Sequence, residues 1–218
     1  MSDIFREVDE EFKRDQVAQT FKKHGNLIVG VLLAVVIGVG GFRTWQYLEA
    51  KKAAEAGQKF ETALALAADG KAEEARAAFD ALSKDAPAGY RMLARFRLAA
   101  EQSRTDAAGA VKAYEALAAD AAIEQTLRDL ASVRAAQLQV DALPAAEIEA
   151  KLQAHAADGK PWRLAAREAM GLAAFKAGQL DKAGAAFERI LADPEATQTA
   201  RQRAEVMMAL VRAGAPAK

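Results

Sequence analysis

Hydrophobic and polar residues fall into three regimes along this chain. In residues 3 to 23, Ile4, Phe5, Val8, Phe12, Val17 and Phe21 recur at helical spacing with charges of both signs between them. Arg6–Glu10 and Glu10–Arg14 stand one turn apart as i, i+4 pairs. The spacing predicts an amphipathic helix that lies on a membrane or docks on a partner. Its mixed charge argues against strong lipid-driven binding, which favours a basic polar face. From Leu27 to Phe42 the chain then reads LIVGVLLAVVIGVGGF, without a charged or strongly polar side chain. With Gly25, Asn26 and the Thr44–Tyr47 shoulder this makes about 20 residues, enough to cross a hydrocarbon core of roughly 30 Å. Arg43 can snorkel towards headgroups, and Trp45 with Tyr47 supplies an interfacial aromatic anchor. From residue 49 onward, helix-length segments alternate with turn signals.

The expected organisation is a cytoplasmic amphipathic tail (1–25), a transmembrane helix (26–48) and a helical domain (49–218). A cleaved signal peptide fits poorly. The apolar stretch follows a long leader containing Asp3, Glu7, Asp9, Glu10, Glu11 and Asp15, whereas signal peptides have short basic leaders. Charge bias barely sets the orientation, because Arg6, Lys13, Arg14, Lys22 and Lys23 precede the span and Arg43, Lys51, Lys52 and Lys59 follow it. Within the span, Gly30, Ala34, Gly38 and Gly41 fall on one helical face, a small-residue pattern that permits close helix approach and self-association.

The helical segments expected beyond the span run 46–69, 71–85, 89–102, 106–119, 122–140, 145–157, 161–177, 179–192 and 197–213. Breaks sit at Gly70, Pro87/Gly89, Leu143-Pro144, Gly159-Lys160-Pro161, Gly178 and Asp193-Pro194. No segment alternates with period two, so no sheet is expected. Alanine, roughly a quarter of the chain, favours helix and close packing.

Two of these segments repeat one another. Gly70, Ala75 and Phe79 have the same offsets as Gly178, Ala183 and Phe187, and Ala110–Tyr114 is a weaker third copy. Gly171 stands seven residues before Gly178, at the position where two helices would cross. A turn glycine, a small alanine at the helix contact and an aromatic one turn later resemble the tetratricopeptide repeat. The expected fold is therefore all-α: one transmembrane helix followed by a tetratricopeptide-like α-solenoid of helical hairpins.

The whole chain resembles the proteobacterial membrane-anchored tetratricopeptide-like ancillary subunit of the SecYEG translocon. The residues carrying the likeness are Met1–Gln16, the span, Trp45-Gln46, Ala53–Gly57, Leu127–Ala131, Pro161-Trp162-Arg163 and Ala166-Arg167-Glu168. The resemblance implies a bacterial inner-membrane protein with a cytoplasmic N-terminus and a periplasmic helical domain. It also implies association with the Sec translocon and periplasmic chaperones.

Chemistry is sparse. The chain has no cysteine, and its two histidines, His24 and His155, are isolated. The acids are scattered at charge-pair spacing, and no phosphate loop, dinucleotide fingerprint or nucleophile elbow appears. No cofactor, metal or enzymatic activity is expected. The net charge of +0 offers no basic footprint for nucleic acid. An anchored interaction module is the leading functional reading, with a self-associating envelope scaffold acting in division or outer-membrane assembly as the alternative. The first helices of the hairpins, about 89–102 and 161–177, are expected to line the binding face. Arg91, Arg95, Arg97, Arg163 and Arg167 are carried there, with Arg95 and Arg167 as the candidate partner surface.

Overall fold

The computed structural model describes residues 3–214, with side chains for Lys22, Asn26, Leu27 and Val29 onward. The apolar stripe and ion pairs expected within residues 3 to 21 lie outside the described side chains. Among the described residues there are nine helices and no strand. The first, α1 (Asp3–Ala68), is one continuous helix through the tail, the span and the segment expected at 46–69. It is followed by α2 (Ala72–Asp85), α3 (Ala88–Gln102), α4 (Ala107–Ala119), α5 (Gln125–Gln139), α6 (Ala145–Leu152), α7 (Arg163–Lys176), α8 (Leu180–Leu191) and α9 (Gln198–Arg212). Helix α6 ends five residues before the expected 157, and a turn carries the chain to Gly159, where φ is +76°.

Contacts divide the chain into a unit up to Glu55 and a compact unit from Ala56 to the end. In the first unit, α1 is long and apolar enough to cross a membrane, with a mean hydropathy of 1.5 over its apolar window and none of that window buried. This fits a single-pass membrane protein. Gly30, Ala34, Gly38 and Gly41 are all exposed. Among the described residues, a Cβ built on any of the three glycines would meet nothing within 4 Å.

Local sequence sets the helix ends of the second unit. Gly70 and Gly178 take φ of +77° and +71°, and both close Schellman turns. Lys71 N–H donates to Leu66 C=O at 2.9 Å, and Gln179 N–H to Ala174 C=O at 2.9 Å. A β-carbon would be strained at both glycines. Asp106 caps α4 by accepting from Gly109 N–H at 2.8 Å, and Thr197 caps α9 by accepting from Ala200 N–H at 3.2 Å. Pro87 and Pro144 stand at the N-caps of α3 and α6, where a missing N–H costs nothing.

Four small cores follow one another along this unit. Ala56, Phe60 and Ala63 at the end of α1 pack with Ala75, Phe79 and Leu82 of α2 and Ala94 of α3. Phe60 meets Phe79 edge-on at 5.5 Å between ring centroids. The second core joins Ala99, Tyr114, Leu117, Ala131 and Ala135 of α3, α4 and α5. The third joins Val133, Ala136, Ile148, Leu152, Ala166 and Ala169 of α5, α6 and α7. The fourth joins Ala174, Phe175, Ala183, Phe187, Ile190, Ala200, Ala204 and Met208 of α7, α8 and α9. Each core is thus one hairpin closed by the first helix of the next, which is how stacked hairpins bury a face that none could bury alone.

The repeat residues named from sequence occupy these cores. Ala75, Phe79, Ala110, Ala183 and Phe187 are fully buried and Tyr114 nearly so. Gly171 and Phe187 touch: a Cβ on Gly171 would stand 2.8 Å from the Phe187 ring. A fourth copy escapes the sequence pattern. Ile148 and Leu152, fully buried on α6, hold the alanine and aromatic positions. Ala75, Ala110, Ile148 and Ala183 succeed one another at intervals of 35, 38 and 35 residues, close to the repeat length of about 34.

Candidate functional site

Helices α3, α5, α7 and α9 occupy the first position of successive hairpins, α9 being the last helix among the described residues. Outside α1, the exposed large apolar side chains among the described residues are Leu93, Leu172, Val206 and Leu210, and all four lie on these helices. A groove of about 650 Å³ runs between α5, α7 and α9. Val140, Leu172, Phe175, Met207 and Leu210 provide its apolar lining. Leu172 and Leu210 remain 37% and 40% exposed. Apolar surface left in a concave site is the usual mark of a place that another molecule covers.

Ion pairs brace the groove across its helices. Glu168 of α7 takes both Nε and Nη2 of Arg203 of α9, at 2.6 and 2.8 Å. Lys176 of α7 stands 3.5 Å from the carboxylate of Asp141, just beyond α5, and also donates to the Asp141 carbonyl. A forked guanidinium–carboxylate pair fixes direction as well as distance. The groove floor is therefore apolar and its charged rim internally paired.

The arginines expected on this face divide. Arg91 and Arg97 are exposed. Arg95 is half-buried and pairs with Asp120 at 2.6 Å, which holds the Asp120 carboxyl below its ordinary range. Arg163 and Arg167 are not on the surface at all, and Arg167, only 2% exposed, cannot be a partner contact. Arg163 grips Asp193 with Nε at 2.6 Å and Nη2 at 2.8 Å and also pairs with Glu195. Arg167 adds Nη1 to Asp193 at 2.9 Å, donates Nε to the Ala156 carbonyl at 3.0 Å, and pairs with Asp158. Arg201 completes the cluster by donating to the Asp193 carbonyl at 2.8 Å.

Together these residues tie the turn between α8 and α9 to the start of α7 and the turn before it. Burying two guanidinium groups is tolerable only with such complete pairing. Arg163 above all, then the Glu195 N–H and Arg167, holds the Asp193 carboxyl well below the usual carboxylate range. Trp162, beside this cluster, donates Nε1–H to the Thr126 carbonyl at 2.7 Å and joins the start of α7 to α5.

A smaller cleft of about 210 Å³ lies between α6, α7 and α8, bounded by Glu149, Met170, Ala174, Lys182 and Arg189. Its Lys182 is bound to Glu149 at 2.8 Å. Among the described residues, no group of three or more His, Asp and Glu side chains converges to hold a metal ion.

The stretch that carries these repeated hairpins is matched by a family model, the tetratricopeptide repeat-like domain, over residues 19–210. The chain belongs to this tetratricopeptide repeat-like family. Neither a curated protein nor a solved structure matches it. In tetratricopeptide-like stacks the first helices form the extended face used for binding proteins. The exposed Leu172 and Leu210 of this chain lie on that face. Of the two arginines expected to form the partner surface, Arg95 is half-buried and Arg167 is buried. The exposed Leu172, one residue after the crossing glycine Gly171, was not among the expected residues.

Proposed function

We propose that this protein is a membrane-anchored protein–protein interaction module whose groove between α5, α7 and α9 holds an apolar segment of a partner protein. The observation that carries the reading is the pair of exposed leucines, Leu172 and Leu210, in a groove whose rim charges are already paired. Tetratricopeptide-like stacks bind protein segments in this place, so the fold supports the use of this face. The single span keeps the module at a membrane, which raises the local concentration of membrane-bound partners.

The finer reading rests on the resemblance carried by Met1–Gln16, Pro161–Arg163 and Ala166–Glu168. It places the helical domain in the bacterial periplasm, the N-terminus in the cytoplasm, and the module beside the Sec translocon and periplasmic chaperones, assisting proteins during export and folding. In this reading the chain is a binding protein and carries no catalysis.

Site-specific photocrosslinking in cells tests it. A crosslinker at position 172 or 210 is expected to capture a translocon or chaperone component more strongly than one at position 76 or 182, on the second helices. Equal or greater capture from 76 and 182 would move the binding site off the groove. Strong capture of unrelated proteins from 172 and 210 would remove the translocon assignment and keep the groove.

A further inference from the structure

The groove, taken as the partner site, has a neighbour that specifies the partner's charge. On the first helices Lys176 pairs with Asp141, Arg203 with Glu168 and Arg95 with Asp120. Other cations on the first helices differ. Arg97 of α3 and Arg134 of α5 are both exposed, and no carboxylate among the described residues lies within ion-pairing distance of either. Arg134 reaches the groove directly, since its Nη1 donates to Gln137 Oε1 at 3.2 Å and Gln137 lines the groove. Tyr114, whose ring is buried between α3 and α5, 6.1 Å from that of Phe96, feels the charge of both Arg97 and Arg134. Burial pushes the Tyr114 hydroxyl up, while the two cations beside it act in the opposite direction.

A guanidinium without an internal carboxylate keeps its charge uncompensated for a ligand, and it is the cation best matched to carboxylates. Two of them on adjacent helices make a local positive field that reaches roughly 10 Å at 0.1 M salt. We propose that the partner segment is apolar with flanking carboxylates, its apolar side chains seated on Leu172, Met207 and Leu210 and its acidic side chains on Arg97 and Arg134. The two parts divide the work: the apolar contact supplies most of the affinity, and the charge contact sets the register and the direction in which the segment lies.

The test uses the full-length protein in nanodiscs of neutral phosphatidylcholine, with empty nanodiscs as the control. Two fluorescent peptides share a leucine- and valine-rich run and differ in their flank, glutamates in one and lysines in the other. Anisotropy is expected to show tighter binding of the glutamate peptide, with the preference shrinking at high salt. Arg97→Gln and Arg134→Gln should each weaken that peptide by about two- to fivefold, the range for exposed ion pairs. Arg97→Glu with Arg134→Glu should reverse the preference. All four substitutions are at exposed positions, and unchanged circular dichroism confirms the fold. Equal affinity for the two peptides, or no response to the arginine substitutions, overturns the acidic preference and keeps the groove. Binding that Leu172→Asp leaves intact overturns the groove reading itself, and with it this proposal, as does failure of both peptides to bind.

Discussion

The contact between Gly171 and Phe187 makes the sharpest prediction, because two effects of opposite sign meet there. In an open helix, Gly→Ala stabilises by about 1 kcal/mol through backbone entropy. At position 171 the new Cβ would lie 2.8, 3.0 and 3.1 Å from three atoms of the Phe187 ring. That ring is fully buried in the fourth core and cannot swing into solvent. Overpacking of this kind costs about 1–3 kcal/mol. Gly171→Ala is therefore expected to destabilise by about 0–2 kcal/mol net. Phe187→Leu removes the ring edge and opens space at the crossing. In that background the same Gly171→Ala change should become stabilising, by up to about 1 kcal/mol.

The change of sign is the measurable quantity, and a double-mutant cycle isolates it. Urea unfolding of the full-length protein in mild detergent supplies the energies, followed by Trp162 fluorescence in a Trp45→Phe background. Trp162 reports on the start of α7 through its bond to the Thr126 carbonyl. Two results refute the reasoning. Gly171→Ala stabilising the otherwise unchanged chain would mean that the helices do not meet at Gly171. An equal loss in both backgrounds would mean that the Phe187 ring is not the obstacle.

Three further outcomes are expected. Arg167→Ala should cost about 3–5 kcal/mol in the same assay, because it removes one of the three guanidinium bonds to buried Asp193 and the buried links to Ala156 and Asp158; a loss near that of a surface substitution would return Arg167 to the surface. The pH dependence of folding should carry the mark of Asp193. Its carboxyl is held below its unfolded value of about 3.9, so its contribution is complete above that pH and is lost as pH falls through the lower folded value. Thermal melting between pH 5 and about 2 should accordingly flatten in Asp193→Asn, and an unchanged slope would assign the acid sensitivity elsewhere. Replacing Leu32 and Val35 together by arginine puts two charges in the span, each costing about 2.5–3.5 kcal/mol at a helix centre; membrane pellets washed with carbonate should then lose the protein, and its retention would show that another segment is the anchor.

The helices and their turns were legible because the signals that set them are local. Gly70 and Gly178 mark Schellman turns, Pro87 and Pro144 mark helix starts, and alternating polarity is readable one turn at a time. The repeat was legible where its residue types recur, at Ala75–Phe79 and Ala183–Phe187. It was hidden at Ile148–Leu152, because a core position selects for volume and apolarity and accepts isoleucine and leucine as readily as alanine and phenylalanine. The continuity of α1 was hidden too, since a membrane span and a helix that packs in a core follow different polarity rules and look like separate elements. Arg167 was misplaced for a different reason. Charge predicts exposure for a residue taken singly, and its partner Asp193 stands 26 residues away in sequence, supplied by a turn whose proline reads only as punctuation. The groove itself depends on the juxtaposition of α5, α7 and α9, which no single helix encodes.

The four successive cores have a consequence for how the groove responds to its occupant. Helices α5 and α7 are each held by cores on both sides, whereas α9 is held by one. Among the described residues, one wall of the groove is thus held by a single core, which makes it the wall that opens at least cost in free energy. A partner resting on Leu172 and Leu210 touches α7 and α9 together, so its binding energy adds to the docking of α9. Occupancy and the order of α9 become linked quantities: a filled groove protects the backbone amides of α9 from hydrogen exchange, and a substitution that loosens α9 weakens binding without touching the ligand.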